Sequence, residues 1–124
     1  MATVDVTQDN LETILGQGIV LIDWWAAWCG PCRAFAPVFD DAAERHPDIV
    51  FGKVDTEAEP GLTVGFGIAA IPTLMAFRDG ILLAQRAGAL SRAALDDLVR
   101  RVRALDMDEV RRQVADAEAA GAEP

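Results

Sequence analysis

Cysteine and histidine are scarce in this chain of 124 residues, which holds Cys29, Cys32 and the single histidine His46. Two cysteines are too few for the disulfide framework that holds small secreted domains together. Positive charge is also scarce, with 11 Lys and Arg against 20 Asp and Glu, a formal net charge of −9. That balance provides no phosphate-neutralising surface and argues against nucleic-acid binding; it suits a well-solvated acidic surface instead. Long hydrophobic runs are missing. The longest apolar stretch, Ile19 to Trp28, contains Asp23 and is far too short to span a bilayer. The first residues, Met-Ala-Thr-Val-Asp, lack the basic region and apolar run of a secretory signal, so a cytoplasmic location is expected. No internal repeat or linker is visible.

What is present reads as one globular domain with a short appendage. Apolar residues make up 52% and charged residues 25%, enough for a core of its own. Thr3 to Val6 is a short β-type run. Asp9 to Glu12 has capping-box spacing before a helical face of Leu11, Ile14 and Leu15. Ile19 to Trp25 is nearly all apolar, the pattern of a strand buried on both faces. Phe35, Val38, Phe39, Ala42 and Ala43 then recur at helical spacing, which places a helix opening at Cys32 with Pro37 kinking it. A strand over Ile49 to Val54 and a short irregular helix over Pro60 to Gly67 follow. Thr73 to Phe77 and Ile81 to Gln85 flank an Arg-Asp-Gly turn, a β-hairpin pattern. Ser91 caps a last core helix with Leu95, Leu98, Val99 and Val102 inward. The order β-α-β-α-β-α-β-β-α predicts an α/β fold: a central mixed sheet of about five strands with helices on both faces. Residues 1–105 form this domain. Residues 106–124 are an extension, helical from the capping spacing of Asp106 and Glu109 and the stripe Met107, Val110 and Val114, with a frayed end over Gly121 to Pro124.

The chemistry lies at Trp28-Cys-Gly-Pro-Cys32. A Cys-x-x-Cys spacing serves dithiol–disulfide exchange and zinc binding alike. Here the pair falls where a buried strand has ended and a helix begins. Unpaired N–H groups and the helix dipole favour a thiolate at Cys29, and Cys32 lies one turn on, within reach of it. Gly30 lets a partner's backbone approach, and Pro31 suits the first turn. Lowering a thiol pKa from about 8.5 to about 7 raises the thiolate fraction roughly 15-fold, and the lost nucleophilicity takes back roughly 5-fold. A net gain of about 3-fold leaves docking of the target disulfide as the main source of rate.

The run Asp23-Trp-Trp-Ala-Ala-Trp-Cys-Gly-Pro-Cys32, followed by Ile71-Pro72-Thr73, resembles the thioredoxin family. So do Lys53-Val-Asp55, Phe66-Gly-Ile68 and the Gly88-Ala89 pair, and the resemblance spans residues 3 to 103. It implies the thioredoxin fold, and the stretch beyond Arg103 has no clear counterpart in the family. It further implies a protein-disulfide reductase in which Cys29 is the exposed attacking cysteine and Cys32 the buried resolving one. Pro72 matches a proline preceded by a cis peptide bond. Trp28, Gly30, Pro31, Ile71, Pro72, Gly88 and Ala89 match the flat apolar surface that receives protein substrates. No cofactor is expected to be bound. Electrons would come from NADPH through a separate flavin-containing thioredoxin reductase, and the chain is expected to be a monomer. Asp23 matches the family's buried acid, and a lone carboxylate in a two-sided apolar strand should have its pKa raised by desolvation. It would take the proton of Cys32, with Lys53 partly offsetting its charge.

Competing readings are few. Asp23 as an edge residue satisfied by backbone, and Lys53 as a surface lysine, are the bland alternatives. Trp24 and Trp25 read as packing residues and His46 as an exposed helix-end residue. A thioredoxin-like binding or chaperone module, with its thiols secondary, is the alternative function. A structural zinc site needs about four ligands, more than one cysteine pair and a distant histidine supply within a monomer.

Overall fold

The apolar run 19–25 becomes β2 (Ile19–Trp25), the central strand of a five-stranded sheet, in the computed structural model, which describes residues 2–121. Around it stand β1 (Thr3–Asp5), β3 (Val50–Asp55), β4 (Thr73–Arg78) and β5 (Ile81–Ala87), in the order β1-β3-β2-β4-β5. The strands β1, β3 and β2 are parallel, whereas β4 runs antiparallel to β2, and β5 to β4. The β4–β5 turn carries Asp79 at φ 54° and Gly80 at φ 79°. Two successive positive φ values match the right-handed twist of a two-residue hairpin, which is why Asp-Gly serves there.

Helices cover both faces, as the alternation of elements predicts. On one face α2 (Gly30–Arg45) and α4 (Arg92–Ala104) place Phe35, Phe39, Leu95 and Val99 against Leu21, Phe51 and Leu74. On the other, α1 (Leu11–Leu15) and α3 (Pro60–Gly65) place Ile14 and Leu62 against Ile22, Trp24, Val54 and Met75. Gly52 marks a close approach in the second core. A Cβ there would lie 2.5 Å from Cγ2 of Val6, a buried residue just past β1.

Several boundaries and one cap differ from the sequence expectation. The helix α2 opens at Gly30 rather than Cys32, because Cys29 itself is the N-cap, and it runs on through Pro37. In α1 the Asp9–Glu12 capping box does not form; Asn10 is the N-cap, and its Oδ1 instead accepts the Thr7 N–H at 2.7 Å, closing the turn before the helix. The caps of the last two helices follow their sequence signals. Ser91 Oγ accepts the Ala94 N–H, and Asp106 Oδ1 accepts the N–H groups of Asp108 and Glu109. The final helix, α5 (Met107–Gly121), buries Met107 and leaves Val110 and Val114 half-buried. The chain end expected to fray includes residues 122–124, which lie outside the described residues.

Candidate active site

The loop leaving β2 turns directly into α2, and the two cysteines sit at that turn joined as a disulfide, with Cα atoms 5.2 Å apart. Cys29 has extended backbone (φ −83°, ψ 113°), and its Sγ accepts the Cys32 N–H at 3.2 Å. The sulfur therefore fills the capping place that a Ser or Asp oxygen usually takes, satisfying an otherwise orphaned donor of the first turn. Pro31, in that turn, has no N–H to leave unpaired.

The expected contrast of exposed Cys29 and buried Cys32 is corrected: they are 4% and 3% exposed. The cause is packing from outside the motif. Ala26 and the partly buried Trp25 and Ile71 close on the pair, and the Ile71 carbonyl oxygen lies 3.8 Å from Cys29 Sγ. That carbonyl precedes a cis Ile71–Pro72 bond. Pro72 is itself buried, and its carbonyl accepts the Gly88 N–H at 2.8 Å, tying the end of β5 to the same loop. Gly88 has φ 93° there. Trp28, Gly30, Pro31, Gly88 and Ala89 are exposed, and Ile71 is half-buried, around the disulfide.

Trp28 is 67% exposed, yet its indole Nε1–H donates to Glu57 Oε1 at 2.7 Å. The segment after β3 that carries Glu57 is wired in turn to the end of β2. Thr56 donates to the Trp25 carbonyl from both its N–H (2.9 Å) and its hydroxyl (3.0 Å), while Asp55 Oδ1 accepts the Glu57 N–H (2.9 Å). On the helix side, Arg33 donates to the Ala27 carbonyl at 3.3 Å. Sequence reasoning missed Glu57 and Thr56. Neither belongs to a motif, and the only local signal was an acidic residue just past a strand end.

Asp23 lies two residues before the end of β2, is 1% exposed, and its Oδ1 has no hydrogen-bond partner. Burial pushes its pKa up to about 7, against a partial opposing pull from Lys53 and a further push from Asp40. Lys53 is its register partner on β3, half-buried, with Nζ 5.4 Å from the centre of the Trp25 ring. The geometry thus gathers Asp23, Lys53, the disulfide and the Ile71–Pro72 loop at one end of the sheet. Trp24 is fully buried, packing on Phe66 with ring centres 5.4 Å apart. His46 departs from expectation. It caps the far end of α2, stacks on Phe51 (16° between planes) and lies 3.3 Å from Arg103, half-buried rather than exposed. Packing on an aromatic ring covers it, a contact between segments that its own neighbours in sequence do not announce.

Residues 2–101 match the thioredoxin family model. The chain belongs to the thioredoxin family. Thioredoxin 2 of Streptomyces coelicolor is 52% identical over 119 residues, spanning 95% of this chain and 89% of its own length. The thioredoxin of Alicyclobacillus acidocaldarius is 46% identical over 81 residues, 64% of this chain and 77% of its own. Among solved structures, a mutant thioredoxin from Halobacterium salinarum superposes with a TM-score of 0.78 at 30% identity, covering 85% of this chain and 95% of that one. A thioredoxin from Malassezia sympodialis gives 0.74 at 28% identity, covering 82% and 91%. As a thioredoxin-family protein with its Cys-x-x-Cys pair at disulfide distance, the chain is a thiol–disulfide oxidoreductase. Its substrates are disulfide-containing proteins, and thioredoxin reductases are the general partners of such proteins. Among the described residues no group of three or more His, Cys, Asp or Glu is placed to hold a metal ion, and no helix is long and apolar enough to cross a membrane.

Proposed function

We propose that the chain works as a protein-disulfide reductase in which Cys29 attacks, Cys32 resolves and Asp23 manages the proton. The observation that carries this assignment is Cys29 Sγ standing as the N-cap of α2 and accepting the Cys32 N–H. A thiolate at that position gains a charge-assisted hydrogen bond and the positive end of the helix dipole. Cys32, one turn inside the helix, has Cys29 Sγ as the sulfur within its reach.

From the dithiol state, the Cys29 thiolate attacks one sulfur of a target disulfide and the target's other sulfur leaves as a thiolate. Cys32 then gives its proton to the Asp23 carboxylate and attacks Cys29 Sγ. The mixed disulfide breaks, the second target sulfur leaves, and the Cys29–Cys32 disulfide forms. Two electrons pass to the target. A carboxyl group that titrates near 7 is suited to take a thiol proton at neutral pH and release it afterwards. Lys53 tempers the charge of that carboxylate. Trp28, Gly30, Pro31, Ile71, Gly88 and Ala89 form the rim on which the target lies, with Pro72 buried beneath it as the support of the Ile71 carbonyl. A separate flavin-containing thioredoxin reductase returns the dithiol at the expense of NADPH. The chain acts as a monomer in the cytoplasm, and residues 1–105 carry the activity while residues 106–124 stand apart from it.

Cys32→Ser tests the roles. With resolution removed, target proteins from a lysate should remain covalently joined to Cys29 and be released by dithiothreitol. Mixed disulfides found instead on Cys32 in a Cys29→Ser variant, and none on Cys29, would reverse the assignment. Biological function that survives in the double Cys29→Ser, Cys32→Ser variant would favour a docking module over a reductase.

A further inference from the structure

Three charged side chains form a row across the sheet. Asp5 on β1 and Asp23 on β2 are both register partners of Lys53 on β3, which lies between them. Matched residues of parallel strands project on the same face, with strands about 4.8 Å apart. The order is therefore acid, base, acid, with the outer acid at the exposed sheet edge and the inner one 1% exposed. Lys53 is the only lysine of the chain. A cavity of about 270 Å³ opens on the outer part of the row, lined by Asp5, Trp25, Lys53, Asp55 and Glu59 among others.

The other carboxylates near Lys53 are already engaged. Asp55, on the same strand, accepts the N–H groups of Glu57 and Ala58 through Oδ1 (2.9 and 3.4 Å). Glu59, before α3, accepts the Gln8 N–H at 2.7 Å. From α2, Asp40 adds a further push to the pKa of Asp23. Among the described residues neither the Asp5 carboxylate nor the Lys53 ammonium makes a salt bridge or side-chain hydrogen bond; the ammonium rests over the Trp25 ring. It stands uncommitted between a solvated carboxylate and a buried one. Moving inward gains Coulomb energy in a low-dielectric site but costs hydration, so the two terms oppose each other. A charge at the edge can tip such a balance.

We propose that Asp5 is a positioning residue that competes with Asp23 for the Lys53 ammonium, so that a carboxylate on the edge strand sets how strongly the buried acid is paired. Asp5 touches neither the cysteines nor a substrate; it acts through Lys53. The functional weight of this device rests on the reading of Asp23 as the acceptor of the Cys32 proton, but its test does not.

The test uses the full chain as its disulfide, with the Asp23 carboxyl followed by carbon NMR and the Lys53 ammonium by nitrogen NMR, where the single lysine gives one unambiguous signal. In Asp5→Asn, an isosteric change, the Asp23 midpoint should fall by about half a unit as Lys53 moves inward. Asp5→Glu, which keeps the charge, should restore most of the original value. In a Lys53→Met background the same Asp5→Asn change should shift Asp23 several-fold less. An Asp23 midpoint unmoved by Asp5→Asn would overturn the proposal. A shift of equal size with and without Lys53 would overturn it too, since Asp5 would then act directly through space. The proton-acceptor reading fails by a different measurement, an unchanged rate of Cys32 resolution in Asp23→Asn, so the two failures are distinguishable.

Discussion

Replacing Asp23 with asparagine keeps the size of a protonated carboxyl group and removes its titration. The folded protein holds this group at about 7 against an ordinary value of 3.8, chiefly because burial disfavours the anion. That is a difference of about three pKa units at about 1.4 kcal/mol each, so the ionised carboxylate costs the native state about 4 kcal/mol. The sign follows from proton counting. Between the two values the native state keeps a proton that the unfolded state has released, so stability falls as pH rises. The favourable contribution is complete below the unfolded value, is lost as pH climbs through the folded value, and the loss levels off above it. The difference between Asp23→Asn and the parent isolates this one group from every other titration. Both proteins are kept as disulfides so that no thiol titrates. Urea unfolding should then show near-equal stabilities around pH 4 and a more stable variant around pH 8. With a slope of about 2 kcal/mol per molar, the variant's midpoint at high pH should lie roughly 2 M higher. The same variant should resolve mixed disulfides at least ~10-fold more slowly, because Cys32 has lost its proton acceptor. A stability difference that does not change with pH, or a variant less stable than its parent at pH 8, would refute the burial reasoning.

Glu57→Ala should release the exposed Trp28 indole from its one side-chain partner. We expect KM for protein disulfides to rise roughly 5-fold with kcat nearly unchanged, and Glu57→Gln to recover part of the loss, since a single solvent-exposed hydrogen bond contributes about 1 kcal/mol net. A fall in kcat at constant KM, measured by steady-state insulin reduction, would place Glu57 in the chemistry instead of the docking surface. Gly52→Ala should lower stability by about 1–3 kcal/mol, because the new methyl meets Cγ2 of the stiff, buried Val6 at 2.5 Å. Thermal unfolding checks this, and an unchanged Tm would show that β1 can shift to accept it.

The legible parts of this molecule were those written in short-range pattern. A two-sided apolar run announced β2 to the residue, and a single carboxylate inside that run announced the burial of Asp23. Ser91 and Asp106 signalled helix starts that formed as signalled, because a cap is a contact between residues two or three apart. The same logic failed at Asp9, where a second local candidate, Asn10, took the cap and turned its own oxygen back to Thr7. His46 failed for another reason. Its cover is Phe51 on β3 and Arg103 in α4, and nothing in the segment around His46 names either.

The cysteine pair shows the division most clearly. The amino-acid sequence by itself determined a strand that ends into a helix, two thiols one turn apart at that junction, and an acid behind them, since strand and helix periods and the spacing of two side chains are local quantities. Only the tertiary structure decided how much of each sulfur reaches solvent, what fixes Trp28, and which groups share Lys53. Those depend on the strand order β1-β3-β2-β4-β5, which brings the end of β3 to one side of the cysteine loop and the start of β4 to the other. Partners such as Trp28 and Glu57, or Cys29 and Ile71, lie 29 and 42 residues apart along the chain. No local preference encodes such a meeting; burying both faces of one sheet brings it about.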